Sequence, residues 1–314
     1  MRELGSTRII AVDLGYGNTK TANTLTPTAV IPSGEEPVFD GKILQYNGMY
    51  YRIGEGHKEF IQKKELDRDF YLMALVGIAR ELHACGVKPD EYGVVKADVH
   101  IVTGLPTMWV KEQREPHRSY LMQEKSVEYV YNKQRYHINL VGCTIYPQGY
   151  PAIIERLGDF HGLNLLADIG NGTMNGLYIN DKRPIESMCW SGEDGVYQCI
   201  TKVRDAVSKK YSNIDHDIII NQILRAKTAK APTEYIEIVT AAARDYVKKL
   251  FQILREHKYD PEFMNLYIVG GGGTVVKNFG EYEPGSITFI DDICAAAKGY
   301  ELLAYETLKK EVTR

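Results

Sequence analysis

The feature that most limits what this chain can become is a repeated one. An apolar run, an acid and a glycine turn open the chain as AVDLGYGNTKT (residues 11–21) and return as LADIGNGTMNG (residues 166–176). In both copies a run that reads as a buried strand delivers a carboxylate, Asp13 or Asp168, to a loop of glycines and small polar residues. One such turn means little, because many strands end in Asp-Gly turns. Two in the same setting predict a duplicated α/β architecture.

The intervening chain fills out each half. Between Thr21 and about Gly56 it is turn-rich, and Asn47-Gly48 sits between β-forming flanks as a hairpin turn. Residues 67–85 carry helical apolar spacing, with Asp67 or Asp69 to cap the start and Gly86 to stop the end. VHIVTGLP reads as a buried strand, KSVEYVYNKQRYHINLVGCTIYP as a hairpin about Asn132-Lys133, and Tyr150 to Phe160 as a helix. The second half is expected to continue through a hairpin at Asn180-Asp181 and helices at about 194–211, 217–227 and 234–257. A third strand, NLYIV, ends in Gly270-Gly271-Gly272-Gly273; SITFIDD and a last helix follow.

Glycines leave no Cβ to keep a phosphate from backbone N–H groups. Thr19 and Thr173 add hydroxyls, and Lys20 adds a positive charge. Two carboxylates cannot stand close to a polyphosphate without a cation, so Asp13 and Asp168 imply Mg²⁺, held through its waters. The third glycine run is not a dinucleotide fingerprint, because Val275 stands where the last glycine belongs, and no P-loop pattern occurs. It reads either as a side-chain-free wall for a purine or ribose, or as a turn that lets helix and strand pack closely.

The remaining composition removes other classes. Net charge is -3, which argues against a broad nucleic-acid surface. Five scattered cysteines with no CxxC pair disfavour disulfide and zinc scaffolds and fit a cytoplasmic location. No apolar run is long enough to cross a bilayer, and the N-terminus lacks a secretory pattern. None of the eight histidines forms H-x-x-x-H, and Ser191 is not in G-x-S-x-G.

DLGYGNTK, YPQG, LLADIGNGT and IVGGGG, in that order, resemble the ATPase core of the actin, sugar kinase and DnaK-type chaperone superfamily. Within it they resemble bacterial actin-like proteins of the ParM/StbA plasmid-segregation type. The resemblance implies an α/β actin-like fold, two ribonuclease H-like domains around a nucleotide cleft. Domain I would take residues 1–163 and 292–314, with an inserted subdomain at about 21–97; domain II would take 164–291. Gly15, Tyr16, Gly17, Asn18, Thr19 and Lys20 would form the first phosphate loop, and Gly170, Asn171, Gly172 and Thr173 the second. Gly270, Gly271, Gly272 and Gly273 would form the adenosine motif. Asp13 and Asp168 would lie near Mg²⁺, and Gln148 would orient the attacking water, since a neutral amide both donates and accepts.

The resemblance further implies an ATP hydrolase that polymerises into filaments with Mg·ATP and moves plasmid or mobile-element DNA through a DNA-binding adaptor. It implies no direct grip on nucleic acid or membrane, and it leaves ATP or GTP open. A small-molecule kinase of the same superfamily is the alternative. A chaperone ATPase is a weaker one, since it would carry a peptide-binding domain after the core. Two departures stand out: Asn175 replaces an acid found in many relatives, and the segment holding Glu193 and Asp194 matches only loosely, which predicts a helix cap there rather than catalysis.

Overall fold

In a computed structural model, residues 1–37, 41–55, 63–212 and 216–313 are described. The expected end of the turn-rich segment at Gly56 lies outside them. Backbone contacts divide the chain into two units, 1–155 with 294–314, and 156–293.

The first unit is built on a mixed sheet. Its strands are β1 (Arg2–Leu4), β2 (Thr7–Ala11), β3 (Asp13–Leu14), β4 (Asn18–Lys20), β5 (Leu25–Pro27), β6 (Val30–Ser33), β7 (Ile43–Tyr46) and β8 (Met49–Ile53). After helix α1 (Arg68–Ala84) come β9 (Val94–Leu105), helix α2 (Val110–Leu121), β10 (Ser126–Tyr131) and β11 (Gln134–Pro147). Eight of the strands form one sheet in the order β1-β2-β9-β11-β10-β7-β8-β6, while β3, β4 and β5 make a small sheet of their own. β2, β9 and β11 run parallel, with Ala11 opposite Val102 and Pro147 opposite Leu105.

Side-chain alternation explains the pairing. Val127, Tyr129 and Tyr131 on β10 and Tyr136 and Ile138 on β11 are buried, while the residues between them reach outward. α1 covers that buried face and is itself buried nearly all round, from Phe70 through Ala79. Asp67 caps it by accepting from the Asp69 amide (3.0 Å), and Gly86 leaves it at φ 75°. The turn at Asn132-Lys133 has positive φ at both residues, the geometry of a two-residue hairpin.

α2 has no counterpart in the sequence reading. Its inward positions are Val110, Gln113, His117 and Leu121, a helical spacing carried half by polar side chains, and Pro116 lies inside it. The helix expected over residues 150–160 is present as 3₁₀ turns over 150–159; Pro151 at their start has no N–H to donate.

The second unit repeats the design. Its elements are β12 (Leu163–Ile169), β13 (Met174–Asn180), β14 (Arg183–Pro184), β15 (Trp190–Gly192), α3 (Val196–Ser208), α4 (His216–Ala226), α5 (Thr233–Glu256), β16 (Asn265–Val269), α6 (Gly273–Phe279) and β17 (Ile287–Phe289). The sheet order is β14-β13-β12-β16-β17, with β15 also on β13, and β12, β16 and β17 run parallel. The buried stripe of α5, from Tyr235 through Val239, Ala243, Tyr246 and Leu250 to Leu254, keeps the 3.6-residue period that predicted it. α7 (Ala295–Val312) then returns to the first unit, where Ala297, Tyr300 and Ala304 cover Ile9, Ala11 and Val102. Among the described residues no helix is long and apolar enough to cross a membrane.

Candidate functional site

In open α/β sheets, ligand-binding loops gather at the carboxyl ends of parallel strands. In the first unit those ends belong to β2, β9 and β11. Asp13 follows β2 after one residue, Val12, and Gln148 follows β11, its amide donating to Leu105 O at the end of β9 (2.8 Å). The strands therefore bring Asp13 and Gln148 to one sheet edge, separated by the single strand β9.

The Asp13 loop is a tight hairpin, with Asp13 opposite Lys20 and Leu14 opposite Thr19. Asp13 is buried, and the Lys20 ammonium pairs with its carboxylate at 2.7 Å. Lys20, expected from the sequence as a positive charge beside the phosphates, thus rests on Asp13. Thr28 donates its hydroxyl proton to Gly15 O (2.6 Å), and the Thr19 hydroxyl lies 2.9 Å from Thr28 Oγ1. The Thr28 proton being committed, Thr19 is the donor of that pair. Its hydroxyl turns inward and braces the loop, unlike the outward donor expected from the sequence. Tyr16 is buried as well, its ring edge to face with Phe70 at 5.4 Å. The Thr21 hydroxyl, just past the loop, donates to the fully buried Glu81 of α1 (2.6 Å).

Sequence reasoning missed Lys64. It is buried and donates to Leu14 O. Burial pushes its pKa down to about 8, a shift that Asp13 opposes and Lys20 reinforces. His117 of α2 is fully buried, with neither ring nitrogen partnered among the described residues. Burial first, and the Lys64 charge second, hold its pKa down at about 3. Nothing in the sequence pattern marks either residue, because a lone Lys or His carries no periodicity.

In the second unit Asp168 lies near the end of β12 and Val269 opposite it ends β16, so the two glycine runs emerge side by side. Gly170 N donates to Thr173 O (2.8 Å) and closes the hairpin. Gly272 N donates to Ile169 O (2.9 Å), joining the two loops. Gly270 has φ +89°, and a Cβ there would lie 2.5 Å from Ile169 O and 2.9 Å from Asp168 Oδ1. α3 begins against the same hairpin: the amides of Val196 and Tyr197 donate to Gly170 O and Asn171 O. A Cβ on Gly195 would lie 2.3 Å from Asn171 O, so only glycine allows this approach.

Asn175, opposite Asp168 in the β12–β13 ladder, is buried and accepts from the Ser191 hydroxyl (2.7 Å). A neutral side chain with a partner there avoids burying a carboxylate opposite Asp168. Neither Glu193 nor Asp194 caps α3: its N-cap is Gly195, with no side-chain hydrogen bond. Asp194 instead binds Lys249 of α5 at 2.6 Å.

The donors at these loops are oxygens, one carboxylate in each hairpin. Among the described residues no three His, Cys, Asp or Glu side chains gather to hold a metal. A lone carboxylate in either hairpin fits a hard cation such as Mg²⁺, which keeps most of its waters, and does not fit zinc.

Residues 11–150 match the family model of the actin-like proteins' N-terminal domain. The chain has the actin-like fold. Ta0583, an archaeal actin homologue, is 19% identical with TM-score 0.74, over 95% of this chain and 99% of that one; its complex with ADP gives 20% and 0.71. The Alp12 filament structure is 16% identical with TM-score 0.66, over 96% and 99%. Bacillus thuringiensis ParM with ATP is 12% identical with TM-score 0.65, over 97% and 99%. No curated protein matches the chain by sequence.

Proposed function

We propose that this protein is an actin-like ATPase that binds ATP with Mg²⁺, assembles into filaments with it and hydrolyses it. The observation that carries the reading is the repeated acid-and-glycine hairpin at the carboxyl ends of parallel strands, once in each unit. The same fold in a homologue solved with ADP and in a ParM solved with ATP supports a nucleotide as the ligand. The loops Gly15–Lys20 and Gly170–Thr173 would face the polyphosphate with backbone amides other than those of Gly15 and Gly170, which close the hairpins on Asp13 O and Thr173 O. Asp13 and Asp168 would hold Mg²⁺ through its waters, and the ion would offset the phosphate charge. Gln148 orients the attacking water, donating and accepting at one amide. Gly270–Gly273 make room for the nucleoside.

In this reading unit 1 is actin-like domain I and unit 2 is domain II. The Alp12 filament supports self-association as the use of the nucleotide, and assembly requires non-closing contacts between copies. The motif resemblance assigns plasmid or mobile-element DNA as cargo, reached through a DNA-binding adaptor in the cytoplasm. The net charge of -3 fits indirect coupling, since few cations are in excess to grip phosphate backbones.

The test is light scattering and phosphate release after addition of Mg·ATP across a range of protein concentrations. Scattering should rise above a critical concentration and decay as phosphate accumulates. A flat trace at every concentration removes the filament reading. Absence of phosphate release removes the ATPase.

A further inference from the structure

The nucleotide reading uses Asp13, Lys20 and the loop glycines, and leaves one buried cation without a role. Lys64 is 2% exposed and sits on the single 3₁₀ turn Lys64–Leu66 ahead of α1. Its ammonium donates to Leu14 O at 2.5 Å and stands 5.1 Å from the ring centre of Tyr16 and 5.5 Å from that of Phe70. Leu14 and Tyr16 flank Gly15, so one cation touches both sides of the first glycine of the hairpin.

Two consequences follow from charge and direction. A carbonyl aimed at a buried ammonium is turned away from anything arriving from solvent. The negative end of the Leu14 dipole therefore cannot repel an incoming phosphate. Further, an ammonium taken out of water is costly unless it is matched. Here the match is one carbonyl, two aromatic faces and the charge of Asp13, with Lys20 working against it. An anion held at the loop adds what that match lacks.

We propose that Lys64 is a positioning residue of the first loop: its ammonium fixes Leu14 and Tyr16 from the interior and gives the hairpin its preference for a polyphosphate. This rests on the nucleotide reading above, and the experiment separates the two. Lys64→Met keeps the stem and removes charge and donor; Lys64→Gln keeps a donor without charge and stands in if the methionine variant does not fold. Amide hydrogen exchange of residues 15–19 is measured without nucleotide, and Mg·ATP and adenosine are then titrated separately.

Exchange in the loop should quicken about tenfold in Lys64→Met, the loop having lost its interior hold. Mg·ATP affinity should fall about 10- to 100-fold, the range of one charged hydrogen bond, with adenosine affinity unchanged. The thermal midpoint should stay level or rise, since a buried charge has been removed. Unchanged exchange in a folded Lys64→Met variant overturns the proposal, and so does an equal loss for Mg·ATP and adenosine. If the wild-type protein takes no Mg·ATP at all, the nucleotide reading fails, and the polyphosphate preference with it; the exchange data then decide alone whether Lys64 holds the hairpin.

Discussion

At the scale of single residues, the loops divide labour between charge and shape. Asp168→Ala should abolish Mg·ATP hydrolysis, and near-normal turnover would remove Asp168 from the site. Gln148→Ala should leave nucleotide binding within about threefold and slow phosphate release at least tenfold, the effect of losing one water-orienting group; unchanged release would refute that role. His117 gives a pH prediction with a definite sign. Its folded pKa of about 3 lies below the ordinary histidine value, so below about pH 6.5 the unfolded chain binds a proton that the fold refuses. Stability should fall as pH drops from about 6.5 toward 3, by up to ~1.4 kcal/mol per pH unit. His117→Leu should flatten that dependence, and denaturant midpoints at pH 7.5 and 5.0 measure it. Parallel losses in the two proteins would show that the acid sensitivity lies elsewhere. The residue scale was also the least legible in sequence. Thr19 reads as a ligand hydroxyl until Thr28, nine positions on, is seen beside it, and nothing local to Lys64 reports that it is buried under Leu14.

Elements were legible where residues close in sequence made the pattern. The stripe of α5, the cap of α1 and the turn at Asn132-Lys133 depend on neighbours within a few residues, and the sequence states them. α2 was invisible because two of its four inward positions are Gln113 and His117, which look polar, and Pro116 reads as a break. The start of α3 was misplaced for a related reason. Acids before a helix usually cap it, yet here Gly195 is needed so that the helix can approach Asn171. Gly195→Ala tests that approach. The new Cβ would have to push the 170–173 hairpin by more than half an ångström, and nucleotide affinity should fall at least tenfold with a drop of a few degrees in melting temperature. Unchanged affinity would show that the hairpin tolerates displacement.

At the scale of the whole molecule, the duplicated motif announced the two α/β halves, and the family resemblance gave the last helix to the first of them. The fold adds what that helix does there: α7 covers Ile9, Ala11 and Val102. Withdrawing residues 294–314 should cost the first unit about 5 kcal/mol or more, from burial of Tyr300 and its neighbours, which is comparable with a small domain's entire stability. The second unit, contiguous from 156 to 293, should keep its own transition. The two tryptophans make this measurable: Trp109 lies in the first unit and Trp190 in the second. Fluorescence unfolding of Trp190→Phe and Trp109→Phe forms of the shortened chain follows each unit alone. A loss shared equally by both units would contradict independent cores.

The late place of α7 also fixes an order of manufacture. A ribosome reading this message finishes everything in the second unit before it translates the helix that the first one is waiting for. Until then a nascent sheet stands with Ile9, Ala11 and Val102 bare on one side. That interval is the stage of biosynthesis at which chaperone protection counts most, because uncovered apolar sheet is the surface on which newly made chains aggregate.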